Sequence, residues 1–191
     1  MWAEIECAER ELSESCLNAT AVHRQKFKQL GFTEVGFKKL TRVLDVNHRD
    51  NGGINFLDSR RCYYGQLIYN KSYRPAIEAE REKVLISFTA VFENEIQSFS
   101  NETTTPFESL PHHTVTRIEL NDAGGMYEKF VEHLAQRTDK PRHFPDLESL
   151  RAWNDAEKLA VFEERVRQGK FVRMSDYEVT IARSKLPANH P

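Results

Sequence analysis

The chain has 191 residues, a formal net charge of −2 and 29% charged residues. A chain of this length buries enough surface to form a core without disulfide bridges, so we predict one domain over residues 1–183 and a frayed tail over residues 184–191. The balanced charge excludes a uniformly basic surface that would bind any polyanion. The three cysteines, Cys7, Cys16 and Cys62, are an odd number without a CxxC pair, which excludes the usual disulfide framework of small secreted domains.

A long helix is predicted at the N-terminus, over residues 3–30. No Gly or Pro interrupts this stretch, and its apolar residues recur three or four positions apart, which places them on one face of a helix. Gly31 follows where a left-handed residue commonly ends a helix. Such a helix would be about 42 Å long, as long as a compact domain of this size is wide. We therefore expect its acidic first half to overhang the domain and to contact a protein partner or a second copy.

The middle of the chain has the alternating pattern of β-strands. Residues 84–92 show it most clearly, because β-branched and aromatic residues alternate there. Asn51-Gly52 predicts a hairpin turn, and residues 93–95 predict a tight turn. The strands predicted in this part of the chain are residues 35–46, 54–57, 61–69, 84–92, 96–99 and 115–120.

Helical spacing returns after residue 120. Asn121 or Asp122 is suited to cap one helix, and Asp146 is suited to cap a second helix over residues 147–168. A closing strand is expected over residues 171–181. Strands followed by helices favour the α+β class, here a largely antiparallel sheet of about 5–7 strands with the long N-terminal helix and two C-terminal helices packed on it.

The stretch from residue 98 to residue 113 is the predicted binding region. Connections longer than about 12 to 15 residues without regular structure are uncommon in compact domains and often carry function. A loop that packs over one face of the sheet is the alternative. The candidate ligand contacts are Asn101, Thr103, Thr104, His112 and His113.

The histidines support one hypothesis of a metal site. Imidazole and carboxylate groups are common ligands of zinc and iron. However, adjacent histidines in a strand point to opposite faces, and the helical residues lack the HExxH spacing. Hydrogen-bonded or solvated histidines are therefore the favoured interpretation. The metal candidates are His112, His113, Glu132, His133 and His143.

Signatures of catalysis and nucleotide binding are absent from the sequence. It has no GxxxxGK[ST] loop, no GxGxxG loop and no GxSxG elbow, so we predict no cofactor. Cys62 lies beside Arg60 and Arg61, whose charges would favour its thiolate. A cysteine in a strand beside two tyrosines is nevertheless typical of a small core residue, which is the favoured interpretation.

Basic residues are concentrated in residues 24–42 and 165–173. The first segment also contains Phe27, Phe32 and Phe37, and basic residues interleaved with aromatic rings are typical of single-stranded nucleic-acid binding. Phe27 and Phe32 also fit a hydrophobic core, and positive charge at the end of a helix complements its dipole. Binding of nucleic acid or of another anionic partner is therefore an alternative and not the favoured prediction.

Short motifs occur in a recognisable order between residues 28 and 136. They are Leu30-Gly31-Phe32 followed by Gly36, the stretch 87–92, Asn101 with Pro106 and Pro111, and the stretch 127–133. In this order the chain resembles a loose group of uncharacterised bacterial proteins. The resemblance implies a shared fold and transfers no catalytic residue. The chain departs from that group at the tight turn, where Asn94-Glu95 replaces Asp-Gly.

The first residues are acidic and lack the basic and apolar regions of a signal peptide, and no stretch approaches about 18 uninterrupted apolar residues. We therefore predict a cytoplasmic protein. The features together favour a binding or interaction domain without catalysis. The alternatives are a metal-assisted hydrolase that uses the histidine and carboxylate candidates, and a binder of nucleic acid or another anionic partner.

Overall fold

A computed structural model of the chain describes residues 2–42, 48–74, 79–101 and 112–169. The α+β class is confirmed, with seven strands and three α-helices in these ranges. The strands are β1 (Trp2–Cys7), β2 (Phe32–Arg42), β3 (His48–Asp58), β4 (Tyr63–Arg74), β5 (Ala79–Val91), β6 (Ile96–Ser100) and β7 (His113–Arg117). The helices are α1 (Glu14–Gln29), α2 (Ala123–Leu134) and α3 (Leu147–Arg167).

The seven strands form one sheet in their sequence order, from β1 to β7. Every neighbouring pair is antiparallel except the last, in which β7 runs parallel to β6. A parallel neighbour needs a connection of about a dozen residues or more, because the chain must return to the end of the sheet where the first strand began. The stretch between Ser100 and His113 supplies that length.

The prediction of one helix over residues 3–30 is wrong in its first part. Trp2–Cys7 is a strand that pairs with β2, and the helix begins at Glu14, after Ser13, whose hydroxyl accepts a hydrogen bond from the Cys16 N–H at 3.0 Å. The first residues alternate acidic and apolar, so they also fit a strand, and the edge of β2 gives their backbone groups partners. The end of the helix is confirmed, since Gly31 has a φ of +84°.

α1 lies on the sheet and does not overhang it. Cys16, Thr20 and Phe27 are buried, and α1 contacts β2, β3, β4 and α2. Between β1 and α1, the acidic residues of the predicted overhang are held by intramolecular contacts. Glu9 forms an ion pair with Arg24 at 2.6 Å, and Glu11 accepts a hydrogen bond from the Ala8 N–H at 2.6 Å. These residues therefore do not form the acidic overhang from which a partner surface is predicted at this helix.

The predicted hairpin turn at Asn51-Gly52 is also wrong, because both residues lie inside β3 and pair with β4. Gly52 has a different role. A Cβ atom at this position would lie 2.7 Å from the Cys16 Sγ and 3.0 Å from the Leu12 Cδ2. The glycine therefore lets α1 approach the sheet closely, which is a common reason for glycine inside a strand.

The hydrophobic core lies between one face of the sheet and the helices α1 and α2. Phe27 of α1 is its centre. Its ring stacks on Phe56 of β3, with 4.3 Å between ring centroids, and on Phe88 of β5, with 4.8 Å. Phe130 of α2 stacks on the same Phe88 ring at 5.9 Å. The aromatic side chains thus join both helices to the central strands.

α3 packs on the opposite face of the sheet. Leu150 belongs to a second buried cluster with Leu57, Val91 and Phe144, and Trp153 packs against it. One ion pair and one hydrogen-bonded pair contact the helix at the two edges of the sheet. Arg151 Nε lies 3.0 Å from an oxygen of Glu6 in β1, and His112 Nε2, beside β7, lies 3.2 Å from an oxygen of Glu157.

The predicted caps of both C-terminal helices and the predicted tight turn are confirmed. Asp122 accepts a hydrogen bond from the Gly125 N–H and Asp146 from the Ser149 N–H, each at 2.7 Å. In the turn, the Phe92 N–H donates to the Glu95 carbonyl at 2.7 Å. The expected closing strand over residues 171–181 and the expected frayed tail lie outside the described residues. Among the described helices, none is long and apolar enough to cross a membrane.

Candidate functional site

The three predicted ligand contacts that the structure describes, Asn101, His112 and His113, do not form one cluster. Thr103 and Thr104 lie outside the described residues. Asn101 lies at the end of β6, whereas His112 and His113 lie at the start of β7. Each of these three side chains has a different set of partners, and only His112 lines an open cleft.

Asn101 is buried and its amide is used within the chain. Its Oδ1 accepts a hydrogen bond from the Ile86 N–H at 2.9 Å. Its Nδ2 donates to the Val84 carbonyl at 3.1 Å and to the Asn121 Oδ1 at 2.9 Å. The side chain therefore satisfies the backbone of β5 next to the point where β6 ends, which is a structural role.

His113 belongs to a chain of hydrogen bonds on the α3 side of the sheet. Its Nε2 lies 2.9 Å from the Ser98 Oγ, which in turn lies 2.8 Å from the Thr89 Oγ1. Burial lowers the pKa of His113, and the neighbouring His112 lowers it further, against the opposing effect of Glu157. The neutral imidazole is thus favoured in the folded protein.

This low pKa predicts a loss of stability in mild acid. The unfolded histidine has a pKa of about 6.5. Because the folded pKa is lower, stability from the neutral ring is present above about pH 6.5 and is lost as the pH falls through the folded pKa. Between pH 7 and 5, urea unfolding of His113→Gln should lose less free energy than the wild type. Burial also lowers the pKa of His23, so the dependence is reduced and not abolished. Equal pH dependence in the variant and the wild type would contradict this assignment.

The metal candidates remain apart. Glu132, His133 and His143 are exposed, and the His133 ring packs against Phe99 at 5.1 Å between centroids. His112 is engaged with Glu157. Within residues 2–42, 48–74, 79–101 and 112–169, no three side chains of His, Cys, Asp or Glu come close enough together to hold a metal ion.

A cleft of about 590 Å³ lies at one end of the sheet. It is bounded by the tight turn between β5 and β6, by the residue that precedes β7, and by the segment that follows α2. Its lining is predominantly polar and charged. The lining residues are Phe92, Glu93, Asn94, Glu95, His112, Arg137, Asp139 and Lys140.

Arg137 is the most strongly held side chain of the cleft. Its Nη1 donates to Glu95 Oε2 at 2.8 Å, and its Nε and Nη2 donate to the two oxygens of Asp139 at 2.9 and 2.8 Å. The guanidinium carbon lies 4.0 Å from the centre of the Phe92 ring, a cation–π contact. These contacts fix the plane of the guanidinium group.

The same contacts shift the pKa values of the three charged partners. Hydrogen bonding to Arg137 is the main reason that the pKa values of Glu95 and Asp139 are below their usual range. The hydrogen bond to Asp139, followed by that to Glu95, raises the pKa of Arg137. All three groups are therefore charged throughout the neutral pH range.

The guanidinium group retains binding capacity. It has five N–H donors, and three of them point to Glu95 and Asp139. In the part of the chain that the structure describes, the other two have no acceptor. They are available to a ligand that brings its own acceptor atoms.

A buried side chain, Gln97, supports Glu95 from outside the cleft lining. Gln97 is only 5% exposed, and its Nε2 donates to Glu95 Oε1, which also accepts from the Thr114 hydroxyl at 3.4 Å. The Gln97 Oε1 is buried and has no hydrogen-bond donor among the described residues. Buried polar atoms without a partner are uncommon, and they often mark sites that water or a ligand completes.

No protein-family model matches this chain. Comparison with curated proteins finds no match, and comparison with solved structures finds none either. The functional argument therefore depends on the geometry of the cleft and of the sheet.

Arg137, Glu95 and Gln97 are not among the site residues that the sequence predicts. Arg137 and Glu95 are 42 residues apart, and neither occurs in a recognisable motif. One weak signal exists, since the tight turn has two glutamates and the segment after α2 has alternating charges. Only the packing of α2 against β5 and β6 brings these two segments together.

Several basic residues of the two segments are paired or buried. Arg24 forms ion pairs with Glu34 at 2.9 Å and with Glu9, and Lys28 lies 3.2 Å from Glu34. Burial alone would raise the pKa of Glu34, but the hydrogen bonds and charges of Arg24 and Lys28 outweigh it and lower that pKa. Lys38, farther along the first segment, is buried.

The second segment is similar in its described part, because Arg165 is buried and Arg167 is paired with Glu164.

Cys62 does not have the environment of a reactive thiol. Burial and the charge of Asp58 raise its pKa, and the opposing charge of Arg60 does not offset them.

Proposed function

We propose that this protein is a non-catalytic binding domain whose cleft holds a small ligand with both a negative and a positive group, such as an amino acid. The observation that carries the proposal is Arg137. Two carboxylates and an aromatic ring fix this side chain at the wall of an open cleft, and two of its donors have no acceptor among the described residues.

The charges of the lining favour a ligand with both signs. Glu93, Glu95 and Asp139 are acidic, whereas Arg137 and Lys140 are basic. A simple anion that binds Arg137 would be repelled by the three carboxylates. A simple cation that binds those carboxylates would be repelled by the two positive groups. A zwitterion places each charge beside an opposite one, which reduces the cost of removing the cleft groups from water.

The individual contacts can be assigned on the same grounds. A ligand carboxylate fits the two unused N–H groups of Arg137, because guanidinium and carboxylate groups form strong charge-assisted hydrogen bonds. A ligand ammonium group fits the carboxylates of the lining. His112 contributes an imidazole ring to the lining.

Rigid placement of Arg137 is the physical advantage of this arrangement. An arginine side chain that is free in solution loses rotamer entropy when it binds a ligand, at a cost of about 1 kcal/mol. The contacts to Asp139, Glu95 and Phe92 remove that freedom in the absence of ligand. We further propose that the domain works in the cytoplasm, a location favoured by its three free cysteines.

The proposal predicts that binding depends on Arg137. In isothermal titration calorimetry, a panel of amino acids should include binders, whereas the matching amines and carboxylic acids, which carry one charge only, should bind at least about tenfold more weakly. Arg137→Gln should weaken the tightest ligand at least about tenfold, because one charge-assisted pair contributes 1.4 kcal/mol or more. Arg117→Gln is the matched control, since Arg117 is an exposed arginine paired with Glu119 and does not line the cleft.

Two results would contradict the proposal. One is the absence of any binder in the panel at concentrations of about 10 mM, which corresponds to an affinity too weak for function. The other is equal binding by Arg137→Gln and the wild type. Circular dichroism and thermal unfolding of both variants separate a local loss of binding from a loss of fold.

A further inference from the structure

β7 is the last strand of the sheet, and no described strand pairs with its outer side. Its inner side is bound to β6, since the Ile96 N–H donates to the His112 carbonyl at 2.7 Å and the Ile118 N–H donates to the Ser100 carbonyl at 2.8 Å. Backbone groups alternate in direction along a strand. The N–H and carbonyl groups of His113, Val115 and Arg117 therefore point away from the sheet.

The side chains of β7 do not protect this edge. Natural sheets commonly protect an exposed edge with lysine, proline, a bulge or an inward-pointing charge. The centre of β7 is Thr114-Val115-Thr116, three β-branched residues without charge, and Val115 is a large apolar side chain that is 39% exposed. β-Branched residues are also those that favour pairing with a further strand.

The opposite edge of the sheet, formed by β1, is less suited to pairing with a further strand. β1 carries glutamates at positions 4 and 6 within six residues, so two copies of it would bring like charges together. Glu6 is in addition engaged by Arg151 of α3. Of the two outer strands, β7 is the one that combines outward backbone groups with a neutral centre.

We propose that β7 pairs with β7 of a second copy of this chain, antiparallel and around a two-fold axis at Val115. In this register Val115 lies opposite Val115, Thr114 opposite Thr116, and His113 opposite Arg117. Such a pairing is self-complementary, as an isologous interface requires. The Thr–Thr pairs belong to the cross-strand combinations that stabilise sheets, and valine is a residue that favours strands.

The remaining cross-strand pair, His113 opposite Arg117, is compatible with this arrangement. His113 is held neutral, because burial lowers its pKa, so it does not repel the arginine of the second copy. Arg117 keeps its own acid partner, since its Nη2 lies 3.8 Å from Glu119. The interface therefore contains no uncompensated pair of like charges. It does not depend on the ligand that the cleft binds.

The expected dimer is reversible. Five residues of edge strand bury less surface than the standard protein interface of about 1,600 Å², so the dissociation constant should be on the order of 10 µM. Sedimentation equilibrium of the full chain across about 1 to 200 µM should detect a monomer and a dimer in exchange. A monomer at every concentration would overturn the proposal.

Substitution of Val115 tests the register. Val115→Lys and Val115→Glu should each weaken self-association more than tenfold, because two like charges would meet on the two-fold axis. Val22→Lys is the control, because Val22 of α1 is 76% exposed and lies outside β7. This variant should dimerise like the wild type.

A mixture of the two Val115 variants is the decisive experiment. Equal amounts of Val115→Lys and Val115→Glu should form a one-to-one heterodimer, because the axis then places a lysine opposite a glutamate. Failure of the mixture to associate while the wild type forms a dimer would overturn pairing at Val115. So would an unchanged dimer in either single variant.

Discussion

Gly65→Ala should destabilise the protein by about 3 kcal/mol, because an added methyl group has no space. A Cβ atom at position 65 would lie 2.2 Å from Phe27 Cε1 and 3.1 Å from Phe27 Cδ1. The Phe27 ring cannot move aside without losing its contacts with Phe56 and Phe88, which stack on it. The free energy of unfolding in urea measures this cost directly.

A double-mutant cycle identifies the cause. Phe27→Ala alone should cost about 3–5 kcal/mol through the cavity that it leaves. In that background Gly65→Ala should cost at least about 2 kcal/mol less than in the wild type, because the obstructing ring is gone. Additive costs would show that the contact with Phe27 is not responsible.

Gly125→Ala is the matched control for this prediction. Gly125 lies in α2, and a Cβ atom there would meet no atom closer than 3.4 Å. Replacing a helical glycine with alanine, where the added methyl group makes only ordinary contacts, should be neutral or should stabilise the protein by about 0.5–1 kcal/mol. The two glycine substitutions should therefore have opposite signs.

Asn101→Leu should destabilise the protein by about 3 kcal/mol, although it replaces a polar side chain with an apolar one of similar size. The substitution leaves the Ile86 N–H and the Val84 carbonyl without the partner that Asn101 provides. A buried backbone group without a hydrogen bond costs about 1–3 kcal/mol, and this change affects two. Chemical denaturation gives the magnitude.

The control is Asn94→Ala in the exposed tight turn between β5 and β6, which should change the free energy of unfolding by less than about 0.5 kcal/mol. Asn101→Asp is a second test, because it keeps the shape of the side chain but loses both donated hydrogen bonds. It should also be strongly destabilising. If Asn101→Leu were as stable as the wild type, Asn101 would be free to act as the ligand contact that the sequence predicts.

Local signals in the sequence were sufficient for much of the fold. Asp122 and Asp146 cap helices because a short acidic side chain can accept a hydrogen bond from the first helical turn, and this requires no distant residue. The alternation in residues 84–92 likewise reflects a strand with one face on the core. These features depend on a few neighbouring residues and can be predicted.

The errors occurred where tertiary contacts decide between two local possibilities. The first residues fit a strand as well as a helix, and the edge of β2 decides for the strand. Gly52 fits a turn by its type, but it lies in β3 because α1 needs a close approach there. A single sequence contains no information on either contact.

The cleft was less predictable than the fold for the same reason. His112 was selected as a ligand contact, and it lines the cleft. Arg137, which carries the proposal, is an arginine after a helix and has no distinctive sequence neighbourhood. Its partner Glu95 is reached only through the sheet and the packing of α2, so the pair is visible in three dimensions alone.

The sequence-order arrangement of the strands has a consequence for folding. From β2 to β6 each strand pairs with its neighbour in the chain, so these contacts close short loops and cost little chain entropy. β4 and β5 form the longest ladder and are suited to nucleate the sheet. β7 must close the longer connection from Ser100, and we therefore expect it to join late. The cleft, which includes His112 beside β7, should then be among the last parts of the molecule to be assembled.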